Sequence, residues 1–283
     1  MNRETLELSS HNFCLYSHGL CVSCGITQCM TPFVPTGSIV RKIWGKSDTI
    51  LFIFAGAAAE FALNKAVDWL YFTGRIPQDP IGRLFSTVEY ARHIVFAPKN
   101  EAEATIDKIT SIHGGVEAAR GARIPDWAYR DVLFMLIHYS VAAFELLERK
   151  LTAEEKEEAY EVFLRIGRRM NIPGLPPTYE DWLPVREAHL QNDLARSRYT
   201  DDLFLQYQKH LGFLRYRVLR EAQALVVPER VSTLLKFKKI ALFYPAVLVY
   251  KAARLVSLDA AIKWLLLPPA YKKQIQALDV APS

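Results

Sequence analysis

The sequence predicts an all-α protein, a single large helical domain. From Ile39 onward, apolar residues recur at spacings of three and four almost without a break. No stretch alternates apolar and polar residues over the length of a strand. At 283 residues, 51% hydrophobic and 12% aromatic, the chain can bury a sizeable core. It has no internal repeat and no long linker, so one domain accounts for it better than two.

Residues 1–37 read as a leader, expected to be disordered, and residues 38–283 as the helical domain. All four cysteines lie in the leader: Cys14, Cys21, Cys24 and Cys29, with His11 and His18 among them. Thiolates at this spacing can converge on zinc or an iron–sulfur cluster, but a second CxxC half is missing. The opening "MNRETLELSSHNF" mixes both charge signs and has no apolar core of a secretory signal.

The helices are then expected, within a few residues, at 47–72, 80–96, 101–120, 126–149, 153–170, 179–195, 199–225, 229–256 and 259–267. "TGRIPQDP", "APKN", "GARIP", "NIPGLPP" and "VVP" separate them, because proline and glycine interrupt helical hydrogen bonding. Thr152 is an N-cap, followed by Glu154 and Glu155 in the first turn, where acids complement the helix dipole. The longest apolar run, "ILFIFAGAAAEFAL", has 14 residues and contains Glu60, whereas a membrane span needs about 20. It reads as a buried core helix. A second run, "IALFYPAVLVY", reads first as a packed helix covering the core; its flanks Lys236, Lys238, Lys239, Lys251 and Arg254 offer peripheral membrane contact as the alternative. Cytoplasmic localisation is expected, with membrane association through those helices as the alternative. The net charge of +5 is small for the length and spread along the chain, which argues against a nucleic-acid partner.

Among the helices, "DKITSIHGGVEAARG" raises a specific question. Ala102, Ile106, Ile109, Ile112 and Val116 define an apolar stripe, and His113 follows Ile109 by four residues, so the imidazole is expected to point inward with it. It is read either as a satisfied core histidine or as a ligand. Gly114 and Gly115 favour the second, since each costs the helix roughly 1 kcal/mol relative to alanine and is best tolerated where a flat, bulky group approaches the backbone. Haem is such a group, and imidazole is a usual axial ligand. His138 lies on a helix apolar on nearly every side between Val132 and Phe144, and reads as a second ligand, a distal hydrogen-bond donor or a satisfied core group. His93 is expected at a helix surface, and His189 and His210, among charged neighbours, are expected to be solvated.

Taken in order, several stretches resemble one known family. "DPIGRLFSTVEYARHIVF" resembles the segment of the rubber oxygenase (latex-clearing protein) and mycophenolate-pathway oxygenase family in which Asp-Pro opens a helix carrying Gly-Arg-Leu and then a threonine. "IDKITSIHGGV" is similar to its Ile-His motif, "VLFMLIHYSVAAFE" to the helix that follows, and "RIGRRMNIPGLPPTYEDW" to its Leu-Gly and Leu-Pro-x-Thr segment. "WLLLPPAYKK" resembles its C-terminal Leu-Pro-Pro. The chain departs from the pattern at Ser86, where the rubber enzymes have a lysine, and at Asn64-Lys65, where many relatives carry His-Pro.

The resemblance implies an all-helical fold enclosing haem b, with His113 as the proximal ligand of the iron and Gly114 beside the cofactor. It implies a distal side on the helix of Arg83 and Thr87, with His138 a further candidate for catalysis; Arg83 would serve either bound dioxygen or a haem propionate. The expected activity is that of an oxygenase (oxidoreductase) using O2 on a small apolar, alkene- or isoprenoid-like substrate. The alternative is a non-catalytic haem- or lipid-binding protein docked on a membrane surface. A non-haem di-iron centre would need Glu-x-x-His pairs, and Thr110 and Met135 stand three residues before His113 and His138.

Overall fold

The computed structural model describes residues 31–74 and 78–237. The contact pattern divides the chain after Met30, and the part of residues 1–37 that is described, from Thr31, belongs to the body of the fold. Phe33 and Val34 are buried, Phe33 N–H donates to the Ala97 carbonyl at 3.3 Å, and the Arg165 guanidinium lies 4.5 Å over the Phe33 ring. The cysteines, the basic flanks from Lys238 onward, the helix expected at 259–267 and "WLLLPPAYKK" all lie outside the described residues.

Ten helices are described, and no strand among those residues: α1 (Ile39–Trp44), α2 (Ser47–Phe61), α3 (Val67–Phe72), α4 (Pro80–Phe96), α5 (Lys99–Arg120), α6 (Asp126–Leu147), α7 (Ala153–Arg169), α8 (Tyr179–Asn192), α9 (Arg198–Val226) and α10 (Glu229–Leu234). The local signals act where the sequence places them. Asp79 caps α4 by accepting from Gly82 N–H at 2.7 Å, with Pro80 in the first turn. Thr152 and Glu155 close a capping box on α7. Gly121, in the left-handed region at φ 67°, ends α5.

Three expectations need correction. The helix expected over 47–72 is two helices, because Asn64 interrupts it. Its Oδ1 accepts from Ala66 N–H at 2.8 Å, offering the backbone a partner other than the helical one. The segment also pairs with the end of α8 through Lys65 N–H to the Asp193 carbonyl (2.9 Å) and Ala195 N–H to the Leu63 carbonyl (2.8 Å). Helix α9 is kinked at Gly212, whose φ of 73° and ψ of 169° are closed to side-chain-bearing residues. Finally, α1 packs its four apolar residues inward although no helix is expected there.

The core centres on α2 and α6, which pack on each other more extensively than any other pair, with α9 on α2 and α7 on α6. Helix α6 is central but not buried on every side: Val132 is 41% exposed. Gly56 on α2 lets the Tyr139 ring of α6 lie against the helix backbone; a Cβ there would meet ring carbons at 2.3 Å. Trp44, at the end of α1, ties that helix to α6 by donating its indole N–H to Ser140 Oγ at 3.2 Å. No described helix is long and apolar enough to cross a membrane.

Candidate functional site

Two groups of chemistry-bearing residues emerge, on different sets of helices. The first lies where α4 and α5 pack together. The stripe of α5 is buried only through its first half, at Ala102 and Ile106, and then opens: Ile109 and His113 are partly buried and Ile112 is 42% exposed. The expectation that His113 points into a closed interior is therefore corrected. The apolar stripe continues past the point where the described elements cover it, with Gly114 and Gly115 exposed and nothing within 4 Å of where a Cβ would stand.

His113 has a defined environment on that open stretch. Its ring meets Tyr129 edge-on at 5.3 Å between centroids. Its Nδ1 is buried with no hydrogen-bond partner. Burial pushes its pKa down, the nearby Arg83 cation pushes further the same way, and Glu117 opposes both. The imidazole is therefore neutral at pH 7. On α4, Arg83 and Thr87 stand one turn apart as the sequence suggests. Arg83 Nη1 donates to Ser86 Oγ at 3.2 Å, and the Ser86 and Thr87 hydroxyls donate back to the Arg83 carbonyl at 2.8 and 3.2 Å. Ser86, where the resemblance would place a lysine, thus orients Arg83.

The second group lies between α2, α6 and α8, and its centre is Glu60, with no exposed surface. Arg186 donates to it bidentately, Nη1 to Oε1 and Nη2 to Oε2, both at 2.5 Å. The Tyr139 hydroxyl donates to Oε2 at 2.7 Å, and His189 Nε2 lies 2.9 Å from Oε1. His189 reaches Asp131 with its other nitrogen, at 2.6 Å, and Asn64 Nδ2 donates to Asp131 Oδ2 at 2.9 Å. Burial alone would raise the Glu60 pKa, but the Arg186 charge and the His189 and Arg186 hydrogen bonds hold it far below the carboxylate range. His189 is raised to about 9: burial opposes its charge, and Asp131 and Glu60 outweigh that.

His189 is thus 4% exposed, not solvated as its charged sequence neighbours suggest. His93 and His210 are exposed, as expected. His138 belongs electrostatically to this second group. Burial lowers its pKa to about 4, with Arg186 lowering and Glu60 raising it, whereas the charges felt by His113 are Arg83 and Glu117. Sequence reasoning missed Glu60, Asp131, Tyr139 and Arg186. The usable signal was Glu60 itself, the one charge in a 14-residue apolar run, because a carboxylate cannot be buried there without a partner.

The described residues thus form an all-α domain with a neutral histidine on one helix pair and a locked charge network among three other elements. The chain belongs to the family described as ER-bound oxygenase mpaB/B'/rubber oxygenase, catalytic domain, whose sequence model matches residues 42–273. That match makes the domain an oxygenase catalytic domain, with a substrate and O2 as its partners. Comparison with curated proteins and with solved structures found no match.

Proposed function

We propose that the chain is a haem b-dependent oxygenase that acts with O2 on a small apolar, alkene- or isoprenoid-like substrate, with His113 as the proximal ligand of the iron. The observation that carries this reading is the state of His113, a neutral imidazole with a buried nitrogen that has no partner among the described residues, set among apolar and glycine surface that none of them covers. An unpartnered buried polar atom costs about 1–3 kcal/mol, a cost removed when a metal ion takes its lone pair. Side chains at Gly114 and Gly115 would occupy open space, so their absence keeps room for a group from outside the chain rather than for a neighbouring helix. The residues present therefore fit haem b.

Haem, when bound, supplies the redox chemistry of dioxygen activation. The chain's own residues then have distinct tasks. His113 offers an uncharged lone pair, kept so by burial and by Arg83. Arg83 is permanently cationic and, steadied by Ser86, would stand ready for an anionic oxygen, on a propionate or on the dioxygen side. Thr87 keeps its hydroxyl on the Arg83 carbonyl, holding that turn of α4 in place. His138, whose charged neighbours are Arg186 and Glu60, is neutral at pH 7 and can donate a hydrogen bond without adding a charge. The exposed Ile112 and its stripe provide the apolar contact that an alkene needs.

The purified protein should show a strong Soret band, and His113→Ala should keep its helical circular dichroism while losing haem. A His113→Ala variant with wild-type haem content and spectrum would remove His113 from the iron. O2-dependent cleavage of an isoprenoid alkene separates this oxygenase from a haem- or lipid-binding protein without turnover. Peripheral membrane contact would rest on residues 238–283, outside the described residues.

A further inference from the structure

Three ligand-type side chains converge where α6 meets the C-terminal end of α8. His189 Nδ1 lies 2.6 Å from Asp131 Oδ1 and 3.5 Å from Asp193 Oδ2, and one donor atom from each of the three falls within 4.8 Å of the others. The His189 side chain is 3% exposed. Its Nδ1 is buried at ion-pair distance from Asp131 and has no hydrogen bond of regular geometry among the described residues. We propose that His189, Asp131 and Asp193 form a binding site for one divalent first-row metal ion, separate from the haem site.

The spacing suits an ion. Bonds of about 2.1 Å to a first-row cation put neighbouring donors roughly 3 Å apart, and the two measured separations fall on either side of that. The supporting shell is already built. A metal-bound histidine usually gives its other N–H to a carboxylate, which fixes tautomer and ring orientation, and His189 Nε2 faces Glu60 Oε1 at 2.9 Å. Glu60 is itself locked by Arg186 and Tyr139. Asn64 occupies Asp131 Oδ2, which leaves Oδ1 to turn toward the ion.

Charge balance points the same way. Glu60, Asp131 and Asp193 are three carboxylates against the Arg186 guanidinium and a protonated His189, so the set carries one excess negative charge; a divalent cation that displaces the His189 proton leaves it neutral. Lys65 is engaged outside the set, its ammonium on the Asn192 carbonyl at 2.5 Å. Asp193 caps the C-terminus of α8, where the helix dipole disfavours a carboxylate unless a cation is near. Its side chain is 27% exposed, which gives an ion a route in. One imidazole and two carboxylates select Mn2+, Fe2+ or Zn2+ over soft ions.

Mn2+ is the probe for the full-length protein, because the leader thiolates compete for Zn2+. Equilibrium dialysis, with bound Mn2+ read by elemental analysis and electron paramagnetic resonance, should give one equivalent per chain and a higher melting temperature. Asp193→Asn, at the exposed rim, should keep the fold and weaken binding by about 10–100-fold, the scale of losing one supporting interaction of a metal site. The proposal is overturned if the wild type takes up no Mn2+ at millimolar concentration, or if Asp193→Asn binds it as tightly. Because manganese rather than iron is read, the outcome is independent of the Soret band that tests His113.

Discussion

Glu60 shows how a single residue can shape the centre of this fold. A carboxylate with no exposed surface is tolerated because three groups make four contacts to it: the Arg186 guanidinium twice, the Tyr139 hydroxyl and His189 Nε2. Replacing a buried ion pair by apolar residues of the same shape is often neutral, but removing one partner strands the other. Glu60→Gln, which leaves Arg186 and His189 facing a neutral amide, should lose about 3–5 kcal/mol of stability in chemical denaturation. Glu60→Gln combined with Arg186→Met should lose less than the sum of the two single changes. A single variant within 1 kcal/mol of wild type would show that water reaches the network and screens it.

At the scale of an element, α2 is built around the same requirement. Gly56 sits one turn before Glu60, and its missing side chain lets the Tyr139 ring cross the helix so that its hydroxyl lands on Glu60. Gly56→Ala gains about 1 kcal/mol of helix propensity. It also places a methyl group 2.3 Å from two carbons of a fully buried ring, an overpacking that typically costs about 1–3 kcal/mol or more. The clash should prevail, because Tyr139 is held at both its ring and its hydroxyl and cannot turn aside. A lowered melting temperature in Gly56→Ala, with little further effect of Tyr139→Phe in that background, is the expected result. A rise in melting temperature would mean that α2 and α6 can separate to admit the methyl group.

The whole molecule should feel His138 through its acid stability. Its folded pKa, about 4, lies below the ordinary value of 6.5, so between those limits the unfolded chain binds a proton that the folded chain refuses. Stability from this group is therefore complete above about pH 6.5, falls as pH drops toward 4 and is level below. The loss is on the order of 1–3 kcal/mol, allowing for the part of the ring that water reaches. Denaturation midpoints at pH 7 and pH 4.5 should differ more for wild type than for His138→Phe. Equal differences would place the acid sensitivity elsewhere, with His113, which burial also lowers, as the alternative source.

The amino-acid sequence by itself determined the helical class, most helix boundaries and the family. These follow from local physics: apolar spacing, Asp79 and Thr152 at N-caps, Pro80 in a first turn and Gly121 at a C-terminus all act within a few residues of where they stand. The α4–α5 candidates were legible for the same reason, since His113 with two glycines and Arg83 with Thr87 are each contained in one helix. The sequence did not show where the α5 stripe stops being covered, because periodicity gives the direction of a face and not what packs on it. It read His189 as solvated from charged sequence neighbours, and it passed over Asp131 and Arg186. Only the tertiary structure decided that these side chains meet Glu60, which lies 126 residues from Arg186 and 129 from His189. A charged residue on a helix looks the same in sequence whether it faces water or a buried partner, because the compensating charge is supplied by a different helix.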